Sequence, residues 1–325
     1  MRRAVRWMER NQAPLYLVAL LGGGVAGLLL PGIGPALSGA VNPVLALVLY
    51  ATFLGVPARR FPAAFRDVRF LAAVLVLDFV VAPVVVFVLS RVVAADAALL
   101  AGVLFVLLTP CVDYVIVFTG LAGGARDRLL AVTPLLMVLQ ILLLGPLLWL
   151  MAGPDLVAAV DPAPFLEAFV LIVVVPLVAA VLTQVAATRW RGARLLLAAA
   201  TDAMVPLTML ALALVVGSQI HGVGAQLGRL AAVIPVFVAF VLVMTAAGWA
   251  TGRIARVDVP GSRAVVFTGV TRNSLVVLPV VLTLPAVLDP APLVVVTQTL
   301  VELVVLVALV RLVPKIIPGG GTRHP

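Results

Sequence analysis

Apolar residues run along this chain in long stretches separated by short polar breaks. A helix needs about 20 mostly apolar residues to cross the hydrocarbon core of a bilayer. The pattern predicts spans near 14–30, 36–56, 70–90, 98–122, 129–152, 165–186, 201–217, 231–251, 264–284 and 292–313. An all-α membrane protein of ten transmembrane helices follows. Asn42-Pro43 reads as a break or hinge in the second span, and Thr201 or Asp202 as the N-cap of the seventh. Gly23 and Gly27, four residues apart, read as a close helix contact.

Two predicted spans are not uniform. LFVLLTPCVDYVIVFTGL (104–121) and VVFTGVTRNSLVVLPVVL (265–282) each have an apolar half, a polar break and a second apolar half. When the two are aligned, Thr109-Pro110-Cys111 falls over Thr271-Arg272-Asn273. Ten spans divide into five and five, and the second set starts on the opposite side from the first. That is the parity of an inverted-topology repeat, in which interrupted helices at matching positions point to a transport site. Residues 1–152 form the first five-helix repeat in this reading. Residues 153–325 form the inverted second repeat with a short cytoplasmic tail.

Composition agrees with the pattern. The chain is 64% hydrophobic and 11% charged, against about 25% charged in soluble domains. Mean hydropathy is +1.27. A formal charge of +9 would suggest a nucleic-acid partner in a soluble protein, but here the positions of the charges explain it. Of 22 Lys and Arg residues, only Arg91 and Arg229 fall on one side and only Arg272 within a span; the rest share the other side. By the positive-inside rule both termini are cytoplasmic, in the plasma membrane, and no nucleic acid is implied. The N-terminal segment also has the form of a signal peptide with ALSGA as a cleavage region; the topology count keeps it as a span.

The chemistry-bearing residues are few. One cysteine excludes an internal disulfide, and His221 and His324 lie far apart, so no zinc site is expected. Gly22, Gly24 and Gly27 match a dinucleotide fingerprint, but no strand precedes them. A nucleophile elbow and a zincin motif are both missing from the sequence, which argues against an enzyme. No cofactor is implied. The polar residues inside spans remain, and such residues are functional by default.

Arg272 is the most costly of these: it cannot lose its proton and must face protein, water or an anion. Asp113, just past the first break, is a candidate partner; its bland reading is a protonated or water-facing carboxyl. Cys111 is either a small buried hydrophobe or a soft ligand for a thiophilic substrate. Asn273 adds an amide, and Thr109 lies in the same break as Cys111. Asp78, five residues before Pro83, and Glu302 are candidates either to carry a proton or to support the broken spans.

The motifs LDFVVAP (77–83), LTPCVDYVIVFTGLAGG (108–124), TRNSLVVLPVVLTLP (271–285) and VELVVLVALVRLVP (301–314) resemble those of the bile acid/arsenite transporter superfamily. The proline-cysteine pair resembles the arsenite permeases in particular. The resemblance implies a panel domain of spans one, two, six and seven beside a core of the others. Broken spans four and nine would cross in that core, and the core would move against the panel. It also implies an essential role for Cys111. Arsenite permeases usually carry asparagine at Asp78 and a glutamate at Leu275, and Glu302 matches a second glutamate of theirs. The sodium-binding Glu and Gln of the bile acid symporters appear here as Thr268 and Arg272. The expected function is efflux of arsenite or a similar small metalloid oxyanion by proton antiport. Cys111, Asp113, Arg272, Asn273 and Thr109 would bind substrate, and Asp78, Glu302 or Asp113 would carry the proton. The alternative is transport of a small organic anion, sodium-coupled or not. The expected partners are the lipid bilayer and the small substrate; the oligomeric state is left open.

Overall fold

The structure is a computed structural model that describes residues 7–8, 11–55, 67–112, 114–154 and 170–319. Among these residues it is helical throughout, and the only β-type pairing is one isolated bridge. The helices are α1 (Gln12–Leu29), α2 (Gly34–Leu54), α3 (Val68–Val76), α4 (Ala82–Ser90), α5 (Ala97–Leu107), α6 (Tyr114–Leu121) and α7 (Arg126–Ala152). They continue with α8 (Val175–Ala187), α9 (Arg191–Asp202), α10 (Met204–Ala225), α11 (Ile234–Ile254), α12 (Val259–Val270), α13 (Ser274–Val281) and α14 (Pro290–Ile316).

Among the described residues, five helical segments are long and apolar enough to cross a membrane: Ala36–Leu54, Val68–Val93, Leu135–Ala152, Gly228–Ile254 and Ala286–Ile316. Counting α9 with α10, which are bent by 51°, gives six. The predicted spans at 98–122 and 264–284 are interrupted, and the one at 165–186 begins outside the described residues.

The sequence reading needs two local corrections. Pro43 does not break α2, which runs unbroken from Gly34 to Leu54; neighbouring helices can absorb a proline inside a membrane segment. Thr201 does not cap a helix start. Its hydroxyl donates to the carbonyl of Leu197 (2.8 Å) near the end of α9, of which Asp202 is the last residue.

The described residues fall into two compact units. One is drawn from Met1–Arg59, Ala159–Leu230 and Leu275–Val296, the other from Arg60–Ala158, Ala231–Ser274 and Thr297–Pro325. In the first unit α1 lies directly against α10. A side chain at Gly23 would collide with the backbone of Ala213, and one at Gly27 with the backbone of Gly217. Small residues let membrane helices gain van der Waals contact where lipid offers no hydrophobic drive. Tyr50 and Thr183 share a hydrogen bond (2.8 Å), and Gln184 donates to the Phe53 carbonyl (3.0 Å), tying α2 to α8.

In the second unit, acidic residues cap three helices. Asp67 accepts from the Phe70 amide, Asp96 from Ala98 and Leu99, and Asp258 from Gly261. Arg128 joins two of these caps: its guanidinium lies 3.0 Å from Asp67 and 2.7 Å from Asp258. The hydrogen bonds from Arg128 hold the Asp258 carboxyl below the usual carboxylate range. A carboxyl whose pKa is lowered by folding contributes stability above its unfolded value, about 4. That contribution fades as the pH falls through the lowered folded value. Arg128→Gln is therefore expected to lower the melting temperature of the detergent-solubilised chain at pH 7. The gap should narrow below about pH 4 and in high salt, since both partners are partly exposed and such pairs are worth at most about 1 kcal/mol. A gap that is constant down to pH 3 would show that Arg128 acts through packing alone.

Candidate functional site

The second unit holds the residues that the sequence singled out. α5 ends at Leu107 and Pro110 follows; proline has no N–H and restricts its predecessor, so the helix cannot continue. α12 ends at Val270, and Thr271 is extended. The two freed backbones meet. Pro110 and Arg272 form an antiparallel bridge, flanked by Cys111 N–H to Thr271 O (3.1 Å) and Asn273 N–H to Thr109 O (2.8 Å). At membrane depth an unpaired peptide group costs several kcal/mol, and each break supplies the partners that the other lacks. Thr109 and Thr271 occupy matching places. Each hydroxyl donates back into its own helix: Thr109 to Phe105 (3.0 Å) and Val106 (3.1 Å), Thr271 to Phe267 (2.8 Å).

Arg272 is completely buried. Its Nη2 lies 3.2 Å from Asp78 Oδ1 and also donates to the Gly269 carbonyl. Its Nη1 donates to the Leu107 carbonyl (3.3 Å), and the guanidinium sits 5.0 Å from the centre of the Phe240 ring. Leu107 and Gly269 belong to the last turns of α5 and α12, so the negative ends of two helix dipoles converge on one fixed positive charge. Asp78, also completely buried, accepts from Thr268 Oγ1 (2.9 Å) through its other oxygen.

Asp78 reaches this position from an irregular turn. Leu77–Val81 is a π-helical turn between α3 and α4, next to Pro83, whose missing N–H relaxes the regular ladder. Gly269 leaves room for this turn, because a side chain there would strike Leu77. Glu302, on α14, accepts the backbone N–H of Arg272 (2.8 Å) and the side-chain amide of Gln298.

The structure thus brings together Thr109, Cys111, Arg272, Asn273, Asp78 and Glu302, all buried. Asp113 lies outside the described residues, and the Arg272 partner seen is Asp78, which the sequence offers either as a proton carrier or as a support of the broken spans. Cys111 is completely buried, and its backbone N–H flanks the bridge. Among the described residues no group of three or more His, Cys, Asp and Glu could hold a metal ion. Sequence reasoning missed Gln298 and Ser274 as site residues. Gln298 was legible in principle: it stands four residues before Glu302, hence on the same helix face. Ser274 is buried, and its hydroxyl has no hydrogen-bond partner among the described residues.

Apolar helices, two of them interrupted and joined through their breaks around buried charge, define a multi-pass membrane transporter. A family model described as the Sodium Bile acid symporter family matches residues 42–230. That is more than half of the chain, and the chain belongs to this family. Its members are transporters rather than enzymes, and the family points to organic or small anions as cargo. The match covers Asp78 and the first interrupted helix and ends before Arg272. No curated protein matches the chain.

Proposed function

We propose that this chain is a sodium-independent secondary transporter that exports arsenite or a similar small metalloid oxyanion in exchange for protons, by alternating access. One observation carries the reading: the Pro110–Arg272 bridge brings the only thiol of the chain and a completely buried arginine into one crossing. Each break is followed by a new helix start, Tyr114 for α6 and Ser274 for α13. Helix N-termini favour negative charge. Cys111 would give arsenic a soft ligand. The As–S bond forms as one As–OH leaves as water with the thiol proton, and hydrolysis reverses the step. One such bond is weak enough to release cargo.

Arg272 takes the place where sodium would otherwise sit. In transporters of this type, carbonyls at half-helix C-termini hold the coupling cation; here the carbonyls of Leu107 and Gly269 hold a guanidinium. Asp78 and Glu302 would carry protons, and Asp113, Asn273 and Thr109 would line the cargo path. The matched breaks support a pair of inverted five-helix repeats, 1–152 and 153–325. One compact unit groups α1, α2, α8 and α10, the helices of the expected panel, although it also takes in Leu275–Val296 from spans assigned to the core; the core would move against that panel. Both termini would be cytoplasmic, in the plasma membrane. A small organic anion is the second reading, favoured by the family match, with Arg272 or the helix starts holding a carboxylate.

Everted membrane vesicles test the reading. Arsenite is expected to accumulate when an inward-acidic pH gradient is imposed at zero sodium. Accumulation that needs a sodium gradient, or failure to accumulate arsenite while a carboxylate accumulates, would replace it.

A further inference from the structure

The segment joining α8 to α10 carries a helix that the apolar pattern does not predict. α9 has 12 residues, so it is about 18 Å long at 1.5 Å per residue, short of the roughly 30 Å hydrocarbon core. α10 has 22 residues, about 33 Å at the same rise, so by length it matches that core without α9. The 51° bend between them sets α9 apart as an appendage to the span.

None of the α9 residues is buried, yet its faces differ. Ala193, Leu197 and Ala200 are half-buried and form the inner face. Leu195 and Leu196 are 63% and 51% exposed. Arg191 and Arg194, three positions apart, are exposed on one face that Leu195 borders, and Arg189 and Trp190 precede the helix, with Trp190 72% exposed. The one acidic residue of the helix, Asp202, closes its far end.

We propose that α9, together with Arg189 and Trp190, lies in the bilayer interface and binds the phosphate headgroups of anionic phospholipids. A short helix with an uncovered leucine stripe beside a basic face fits the boundary between headgroups and acyl chains. Tryptophan prefers the same depth. Three guanidiniums within six residues match phosphate in charge and in bidentate geometry. The helix therefore reads the lipid composition of its leaflet as well as resting on it.

Trp190 is a reporter within the site. The chain has four tryptophans; the difference in fluorescence quenching between the native chain and Trp190→Phe isolates this one. The full chain is reconstituted in phosphatidylcholine containing brominated phosphatidylglycerol or brominated phosphatidylcholine. Trp190 quenching is expected at a several-fold lower mole fraction of the anionic lipid, at roughly fivefold per engaged arginine as an upper bound. Replacing Arg189, Arg191 and Arg194 together by Gln should bring the two lipids to parity, and Lys at the same positions should keep only part of the preference, since it retains the charge and loses the bidentate geometry. Inorganic phosphate in the buffer should leave the preference unchanged. Equal quenching in the native chain, a preference that survives the triple Gln change, or its loss to free phosphate would overturn the proposal. So would absence of quenching by either lipid, which would place Trp190 in water or under another protein surface.

Discussion

Arg272→Gln is expected to abolish proton-driven transport and to give the chain a sodium response that the native protein lacks. The reason is the identity of the cation at the crossing. In the native chain the guanidinium is held by Asp78, by the carbonyls of Leu107 and Gly269, and by the face of Phe240. A sodium ion about 4 Å from a bare guanidinium would be repelled by roughly 4 kcal/mol at an effective dielectric of 20, and Asp78 beside it offsets part of this. The exclusion is therefore at most about a thousandfold in affinity, at about 1.4 kcal/mol per factor of ten.

Glutamine removes the repulsion and leaves the oxygens in place. Sodium chloride should then raise the melting temperature of the variant above its value in choline chloride, and should not do so for the native chain. The variant also strands the buried Asp78 carboxylate, a loss of about 3–5 kcal/mol for a broken buried pair. Adding Asp78→Asn should recover much of that stability without restoring transport, and a double-mutant cycle reads the coupling directly. Sodium-driven flux in the native chain at fixed pH would sink the tethered-cation account.

Cys111→Ser is expected to reduce arsenite resistance to that of cells lacking the transporter while the protein still reaches the membrane. Serine is nearly isosteric, and it keeps the backbone N–H of residue 111 that donates to Thr271. The fold should therefore survive. The soft ligand is lost: a hydroxyl is a hard donor with little affinity for arsenic. Resistance and membrane abundance measured side by side separate the two effects. Undiminished resistance would exclude a thiol contact. Intact transport of a carboxylate in the same variant would favour the organic-anion reading.

Much of this was legible locally. A run of apolar residues determines a membrane helix because lipid accepts no unpaired backbone, and charge asymmetry follows from which loops stay inside. Pro110 ends a helix wherever the rest of the chain goes. Arg272 announces a functional position because no membrane helix can present it to lipid. Gly23 and Gly27 mark a close contact by their spacing alone, and the structure supplies α10 as the partner.

Other features were decided by tertiary structure. Arg272 is paired with Asp78, 194 positions away, and its backbone N–H with Glu302; periodicity along one helix carries no information about which other helix lies opposite. That the two breaks complete each other's hydrogen bonds depends on both arriving at one place. Pro43 stays helical because its neighbours tolerate it. α9 escaped the hydropathy reading because Arg189, Arg191 and Arg194 interrupt the apolar run just ahead of Leu195, Leu196 and Leu197. The sequence by itself determined which residues lipid will not accept. The tertiary structure alone decided which of them meet, because the cost of a buried charge is local whereas the partner that relieves it is brought near only by the fold.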